Sequence, residues 1–317
     1  MILEKLSIFF GIPAALMKAY CLHASWKYKV YYISKRNNKG KRLIAQPRKE
    51  IKEIQRKVID IFLSKININQ AAFAYVKERN ILNHAERHKN NKFLLKLDFK
   101  DFFYSIKSDD FLKYVDDNPT DSEMIRELSQ DDKILLKHLL FWKPKKSILP
   151  TQDFVLSIGA PSSPILSNII MYSFDKHVDV FCKEKGVVYS RYADDLAFST
   201  NIPNILGEVE RYIIELCNSS IYPKLELNKR KTVHTSKRNN RHLTGLVITN
   251  DNNISIGYKK KRFIKSLLFK FKMNSLCDKE RMFLKGYLSF IKDVEPSYIE
   301  KLERKYSKET LMTIMHH

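Results

Sequence analysis

The sequence predicts an α+β fold in which helices pack on an antiparallel sheet, and three observations indicate it. Short segments rich in β-branched and aromatic residues occur at 27–33, 93–98 and 187–200. Segments with the apolar spacing of helices lie between and after them, at 48–66, 164–185 and 204–218. The chain of 317 residues is 44% hydrophobic, which is enough for a sizeable core shared by two or three subdomains.

The remaining segments follow in order along the chain. A helix is predicted over 13–26, a basic turn over 34–42 and an extended segment over 43–47. Residues 109–132 contain nine acidic and two basic residues, which predicts a solvated helical insertion. Two short strands are predicted at 225–227 and 243–248. A basic helical region is predicted from Lys259 onward.

The charge balance favours a polyanionic partner. Lys and Arg number 57 against 35 Asp and Glu, a formal net charge of +22. Such an excess repels itself within a compact chain, and a polyanion offsets that repulsion. Nucleic acid is the first candidate and an anionic membrane surface is the second. A basic protein without such a partner is the remaining alternative, and +22 is large for it.

Cysteine usage and the N-terminus indicate a cytoplasmic protein without a membrane span. Cys21, Cys182, Cys217 and Cys277 are far apart, with no CxxC pair, so reduced thiols are expected rather than disulfides or a zinc site. The apolar stretch 6–17 is interrupted by glycine and proline and is predicted to be an ordinary helix, not a signal peptide. No run approaches the ~20 apolar residues of a membrane span.

One of four Asp-Asp pairs differs from the others in its surroundings. The pairs at 109–110, 116–117 and 131–132 lie in polar segments, which is typical of solvated helix ends and loops. Asp194 and Asp195 instead lie between two β-type segments, at the turn of a strand-turn-strand unit. Adjacent carboxylates repel each other and are costly to bury unpaired. A divalent metal such as Mg²⁺ would offset that cost.

Asp98 ends the apolar strand 93–98 and is the candidate third carboxylate. By itself it is equally a helix N-cap, because DFKDFF can open a helix. A strand-end Asp, followed about a hundred residues later by Asp-Asp in a strand-turn-strand unit, is how a polymerase palm clamps two metal ions. Asp98, Asp194 and Asp195 are therefore the predicted catalytic metal ligands.

Five segments occur in the order of the sequence boxes of reverse transcriptases, and the chain resembles that family. They are KRLIAQP (41–47), LDFKDFF (97–103), GAPSSPILSN (159–168), YADD (192–195) and LNKRKT (227–232). One tetrapeptide is a weak match, whereas five ordered boxes are specific. The resemblance implies a right-hand polymerase fold with fingers and an antiparallel-sheet palm over 27–250. It also implies a basic helical thumb over 251–317, with a helical segment at 1–26 preceding the fingers.

Within the family the chain is similar to bacterial retron reverse transcriptases. ILNHAERH (81–88) resembles their N-A-x-x-H box and LTGLVI (243–248) their V-T-G box. His84 stands where the first box has Asn, Leu243 replaces Val, and Ile158 stands where many reverse transcriptases have Gln. The first two departures concern which RNA is recognised, and the third concerns packing in the nucleotide pocket.

The resemblance implies a role for each matching residue. Nucleotide binding is assigned to Lys41, Arg42, Phe99, Phe103, Gly159 and Lys231, with Phe103 as the steric gate against a ribose 2′-hydroxyl and Lys231 near the leaving pyrophosphate. RNA binding is assigned to His84, His88, Thr244, Gly245, Lys259, Lys260, Lys261 and Arg262. In the basic helix, Phe263, Phe269 and Phe271 are expected to pack inward. A core Phe103, a solvated basic turn at 41–42, a surface Lys231 and a structural His remain the alternatives from the residues alone.

The implied activity is RNA-templated DNA synthesis with two Mg²⁺ ions and dNTPs. Similarity to retrons implies a structured noncoding RNA template, priming from a guanosine 2′-hydroxyl, and a branched RNA–DNA product called msDNA. It further implies trimming of the template by host RNase H, an effector protein partner and a role in anti-phage defence. The alternatives are an abortive-infection or intron reverse transcriptase, a palm-type nucleotide cyclase, and an RNA-binding scaffold without catalysis.

Overall fold

Four antiparallel strands form the sheet on which the rest of the structure is built. The computed structural model describes residues 1–35, 40–118, 123–219 and 222–316. The strands are β1 Tyr28–Ser34, β2 Lys41–Pro47, β3 Phe93–Asp98, β4 Val188–Tyr192, β5 Asp195–Thr200, β6 Val233–Ser236, β7 Arg241–Leu243, β8 Leu246–Ile248 and β9 Ile254–Ser255. The helices are α1 Ile2–Phe10, α2 Ala14–Leu22, α3 Lys49–Ile61, α4 Ile81–His88, α5 Phe102–Ser105, α6 Ser108–Asp117, α7 Glu123–Arg126, α8 Gln130–Leu140, α9 Ser162–Ile170, α10 Tyr172–Glu184, α11 Ile205–Asn218, α12 Tyr258–Lys272, α13 Asp278–Val294, α14 Pro296–Tyr306 and α15 Lys308–His316.

The central sheet has the strand order β4-β5-β3-β6, and each neighbouring pair is antiparallel. β1 and β2 form a two-stranded sheet, and β7, β8 and β9 form a three-stranded one. Helices and sheets therefore combine as the sequence predicts for an α+β fold with an antiparallel sheet.

The two faces of β5 pack into different hydrophobic cores. Leu196 and Phe198 belong to the main core, which also takes in the N-terminal helices, α3, α6 and α8–α11. Ala197 points to the opposite face, because side chains alternate along a strand. It belongs to a second core made mainly by β7–β9 and α12–α15. The central sheet thus joins the C-terminal helices to the rest of the chain.

The N-terminal helices are part of the main core. Ile2, Leu6, Met17 and Cys21 are fully buried there. No single helix of the described residues is both long and apolar enough to cross a membrane, and the segments Ile2–Phe10 and Ala14–Trp26 meet the length and composition requirement only as a pair bent by 110°.

Several predicted elements differ from the observed ones. The predicted strand at 225–227 is a single bridge between Phe99 and Leu227. The predicted strand at 243–248 is a hairpin, because Thr244 and Gly245 both have positive φ and turn the chain. The helix predicted over 164–185 is two helices that meet at Met171. Of the predicted basic turn, residues 36–39 lie outside the described part of the chain.

The acidic segment 109–132 is less solvated than its composition predicts. Phe111 and Tyr114 of α6 are buried in the main core. Asp132 is also buried, and its Oδ1 accepts a hydrogen bond from the backbone N of Ile2 at 3.0 Å. The expectation that this Asp pair is solvated is therefore wrong for Asp132, because the N-terminus of α1 covers it.

The predicted division of the chain at residues 26 and 250 remains a prediction. Apart from Ala85 and Ala197, the buried residues of the second core begin at Leu243, a few residues before the predicted boundary. The N-terminal helices share their core with the central sheet.

Candidate active site

Three carboxylates lie together at one end of the central sheet. Asp98 is the last residue of β3 and Asp195 the first of β5, and the two are direct partners in the antiparallel register. Asp194 lies in the tight turn between β4 and β5, after Ala193 with a φ of 57°. Asp98 is only 5% exposed, whereas Asp195 opens to solvent. The structure thus brings together the three acids that the sequence singles out.

Backbone hydrogen bonds hold this end of the sheet in place. The N–H of Phe99 donates to the carbonyl of Asp194 at 3.1 Å, and the N–H of Asn228 donates to the carbonyl of Asp98 at 2.7 Å. The guanidinium of Arg191 donates to the carbonyl of Ala193 at 3.1 Å. The carboxylates are therefore presented by a fixed turn and a strand end, not by a loose loop.

Burial, and then the surrounding negative charge, raises the pKa values of Asp195 and Asp194. Partial burial, together with the negative charges of Asp194 and Asp98, raises the pKa of Asp195 to about 7, although one side of the Asp195 side chain faces solvent. Burial, and then the charge of Asp98, also raises the pKa of Asp194. Lys231 offsets part of this charge, because its Nζ donates to Oδ2 of Asp98 at 2.8 Å.

The donor chemistry of this cluster fits a divalent cation. The Oδ1 atom of Asp98 is buried and accepts no hydrogen bond from the described residues. Carboxylate oxygens are the ligands that Mg²⁺ and similar hard cations prefer. Among the described residues no three His, Cys, Asp or Glu side chains form a ready-made metal cage. Asp98, Asp194 and Asp195 would hold the metal, which would neutralise the negative charge that they share.

The residues assigned to nucleotide binding are placed differently from one another. Lys41 and Arg42 are the first two residues of β2, and both are exposed. The positive charge of Arg42 is close enough to act on the carboxylate of Asp194. Phe103 is half-buried in α5, which follows the Asp98 strand, with its ring 5.4 Å from that of Phe102. Phe99 is buried and stacks on Phe102 at 5.8 Å, so its ring supports the site from within the core, and its assignment to nucleotide binding stays a prediction.

Gly159 is pressed against the backbone of β2. Its φ is 121°, and a Cβ built on it would lie 3.2 Å from the carbonyl oxygen of Ala45 and 3.3 Å from Cα of Gln46. The neighbouring carbonyl of Ile158 accepts the N–H of Ala45 at 3.0 Å. The glycine therefore permits a close approach between the 159–168 segment and the strand that carries Arg42.

Gly159→Ala is expected to raise the KM for dNTPs, because the added Cβ would press on the backbone of β2 and displace the strand that carries Arg42. The positive φ adds backbone strain of about 1–3 kcal/mol. Steady-state primer extension at varied dNTP concentration measures this. Gly207→Ala is the matched control, since a Cβ at that position of α11 meets nothing within 4 Å. Equal KM values for the two variants would contradict the role of the close approach.

His84 and His88 lie inside the protein and not on its surface. His88 Nε2 and Nδ1 lie 2.6 Å and 2.7 Å from the hydroxyls of Ser190 and Ser199, which fixes α4 on β4 and β5. His84 Nδ1 lies 3.3 Å from Oγ1 of Thr244. A direct RNA contact by either imidazole is not available in this arrangement. An RNA-binding role for His84 and His88 stays a prediction. In that role they would support a protein surface that contacts RNA.

Protonation of His84 is expected to destabilise the protein at low pH. Burial, with the charge of Arg87 adding to it, lowers the pKa of His84 from 6.5 to about 3. As the pH drops from about 7 to about 4, His84 therefore takes up a proton in the unfolded chain but not in the folded chain. The free energy of unfolding falls over this range as a result. In urea unfolding across this range, His84→Gln should show a shallower pH slope than wild type. The exposed His177→Gln should keep the wild-type slope, and a wild-type slope in His84→Gln would contradict the assignment.

A hydrogen bond links the predicted RNA-binding turn to the basic helix. Lys260 Nζ donates to the carbonyl of Gly245 at 2.6 Å, which links the β7–β8 turn to the start of α12. Lys261 instead forms an ion pair with Glu295 of the α13–α14 junction. Lys259 and Arg262 are exposed.

Two of the three Phe residues of α12 correct an expectation. Phe263 and Phe269 are 51% and 57% exposed and do not pack inward, whereas Phe271 is half-buried and packs against the second core as predicted. Ile264, Leu267 and Leu268 fill the core instead. The exposed surface of α12 is therefore both basic and aromatic.

A buried ion pair beneath the turn was not identified from the sequence. Arg191 is fully buried and bonds both oxygens of Asp175 in α10, at 2.9 Å from Nε and 2.7 Å from Nη2. Tyr189 also donates to Asp175 at 2.8 Å. A sequence signal existed, because Asp175 lies on the apolar stripe formed by Met171, Phe174, Val178 and Cys182.

Comparison with known proteins defines the class. A family model described as reverse transcriptase (RNA-dependent DNA polymerase) matches residues 33–248. Telomerase from Candida albicans, solved in complex with a telomeric RNA fragment, has a TM-score of 0.50 and 14% identity, and the match covers 92% of this chain and 55% of that one. That likeness supports the fold alone. The fold is the right-hand polymerase fold, and the chain is an RNA-directed DNA polymerase.

Curated relatives define the type. The Retron Ec83 reverse transcriptase of Escherichia coli is 42% identical over 287 residues, which cover 90% of this chain and 89% of that protein. The Retron Ec73 reverse transcriptase of the same species is 31% identical, with 85% and 84% covered. The chain therefore belongs to the bacterial retron reverse transcriptases. As a reverse transcriptase it transfers nucleotides from dNTPs with a divalent metal and copies an RNA template.

Proposed function

We propose that this retron reverse transcriptase copies a dedicated structured noncoding RNA into a DNA that stays linked to that RNA. The observation that carries the proposal is the 42% identity to a retron enzyme across 90% of the chain. The net charge of +22 supports a large polyanionic partner. Synthesis would begin at the 2′-hydroxyl of a guanosine in the RNA and yield branched msDNA.

The proposed chemistry rests on the three acids and their neighbours. Asp98 and Asp194 would hold Mg²⁺, with Asp195 supporting them, and the bound metal would activate the attacking hydroxyl and stabilise the charge on the leaving pyrophosphate. Arg42 and Lys41 would bind the triphosphate by charge-assisted hydrogen bonds. Lys231, released from Asp98, would neutralise or protonate the pyrophosphate. Phe103 would favour dNTPs by excluding a 2′-hydroxyl.

The proposed setting is a cytoplasmic anti-phage defence module. Host RNase H would trim the copied template, and an effector protein would respond to the RNA–DNA product. These partners follow from similarity to the retron enzymes.

The test uses protein purified from its native host with the neighbouring locus intact. Bound nucleic acid is extracted, half is treated with RNase, and both halves are run on a denaturing gel. An Asp194→Asn, Asp195→Asn preparation is run beside them. A short DNA that shifts on RNase treatment and is absent from the variant is the expected result.

Other outcomes separate the alternatives. RNA alone in both preparations would reject the retron product and favour a scaffold. DNA without linkage to RNA would keep the polymerase and reject priming from an RNA 2′-hydroxyl.

A further inference from the structure

Tyr75 is an exposed aromatic residue held in a strained backbone conformation near the three acids. Its φ is 62°, a region that bulky L-residues rarely adopt. Its ring is 51% exposed, whereas residues 71–74 immediately before it are buried. A strained backbone conformation persists only where the surrounding structure holds the residue in place. Residues with strained backbones are concentrated at active sites and ligand sites.

Two of the sequence boxes hold the backbone before Tyr75. The N–H of Phe73 donates to the carbonyl of Arg191 at 2.8 Å, next to YADD. The side-chain amide of Asn168, at the end of the 159–168 segment, donates to the carbonyl of Ala74 at 2.8 Å. Tyr75 is thus positioned jointly by β4, which leads into the turn that carries Asp194, and by the segment that contacts β2.

The ring of Tyr75 lies among the groups assigned to the nucleotide. Its centroid is 6.5 Å from that of Phe103, at an interplanar angle of 52°. The charges of Asp194 and Arg42 act on its phenol. Partial burial is the larger cause and the charge of Asp194 the second cause of a raised pKa of this phenol. The predicted sugar gate therefore lies beside this exposed ring, and a predicted metal ligand and Arg42 are close enough to act on its phenol.

We propose that Tyr75 contacts the incoming dNTP, and that its ring and that of Phe103 form one continuous aromatic surface for the sugar and base. This inference rests on the proposed assignment of the active site. A contact with the nucleotide accounts for a strained tyrosine at a position where glycine would be unstrained. An aromatic ring gives apolar contact to any of the four nucleotides, so the contact sets affinity without selecting a base.

The test is steady-state primer extension by Tyr75→Gly and Tyr75→Phe on a primed RNA template. Tyr75→Gly removes the ring and relieves the strain, so folding is retained, which thermal denaturation checks. We expect Tyr75→Gly to raise the KM for dNTPs about tenfold, as loss of one stacking contact does. Tyr75→Phe keeps the ring and should keep the KM. Tyr20→Ala, on α2, is the control and should match wild type.

The outcomes separate this inference from the proposed function. A KM for dNTPs that is unchanged in Tyr75→Gly would overturn the inference while wild-type extension upholds the active site. A change in affinity for the RNA template, with the KM for dNTPs unchanged, would overturn it as well. Absence of dNTP incorporation by the wild-type protein would instead remove the active-site assignment on which the inference depends.

Discussion

Asp194→Asn is expected to abolish DNA synthesis while the protein stays folded. A carboxylate that holds a catalytic metal contributes several kcal/mol to transition-state stabilisation, so the rate should fall by about three orders of magnitude or more. In metal-free protein, Asn removes a charge that is partly buried next to Asp98. The melting temperature without divalent metal should therefore not fall.

The measurement is single-turnover primer extension together with thermal denaturation in the presence of a chelator. Asp251→Asn is the matched control, because Asp251 is exposed beyond β8 and away from the three acids. Near wild-type extension by Asp194→Asn would show that the cluster is not catalytic. Loss of extension accompanied by unfolding would leave a structural role as the explanation.

Arg191→Met is expected to be strongly destabilising. Arg191 and Asp175 are both completely buried, and removal of the arginine leaves an unpaired buried carboxylate. Breaking such a pair costs about 3–5 kcal/mol. The change also removes the hydrogen bond to the carbonyl of Ala193 and so loosens the turn that presents Asp194.

Urea unfolding of Arg191→Met and of Lys183→Met compares a buried ion pair with an exposed one. Lys183 pairs with Asp179 on the surface of α10, so its loss should cost less than about 1 kcal/mol. The double variant Arg191→Met, Asp175→Leu should recover part of the stability, because it removes the orphaned charge. Equal losses in the two single variants would refute the importance of the buried pair.

The parts of the site carried by short, regular segments were predictable. Short segments rich in apolar, β-branched and aromatic residues predict β3, β4 and β5, and once these strands pair, the acids at their ends must meet. The burial of Phe99, His84 and His88 was not predictable, because residue type does not reveal which face of an element is covered. Burial of the two histidines depends on the docking of α4 onto β4 and β5, which is a tertiary property.

Elements without a periodic signal were also missed. β6 is four residues long and becomes a strand only because the edge of β3 accepts it. The segment 243–248 was predicted to be one strand. The turn at Thr244 was missed because threonine rarely adopts a positive φ. The Arg191–Asp175 pair joins a helix to a strand, and only the folded register brings the two side chains together.

The contact between His84 and Thr244 has a consequence for exchanging parts between retron enzymes. Residues 160 positions apart share one hydrogen bond, and one of them lies on α4 while the other lies in the β7–β8 turn. A chimera that grafts a foreign C-terminal region from residue 241 onward would place an unmatched turn against the native imidazole. Transplanting α4 together with that region would preserve the fit, so the exchangeable module is discontinuous in sequence.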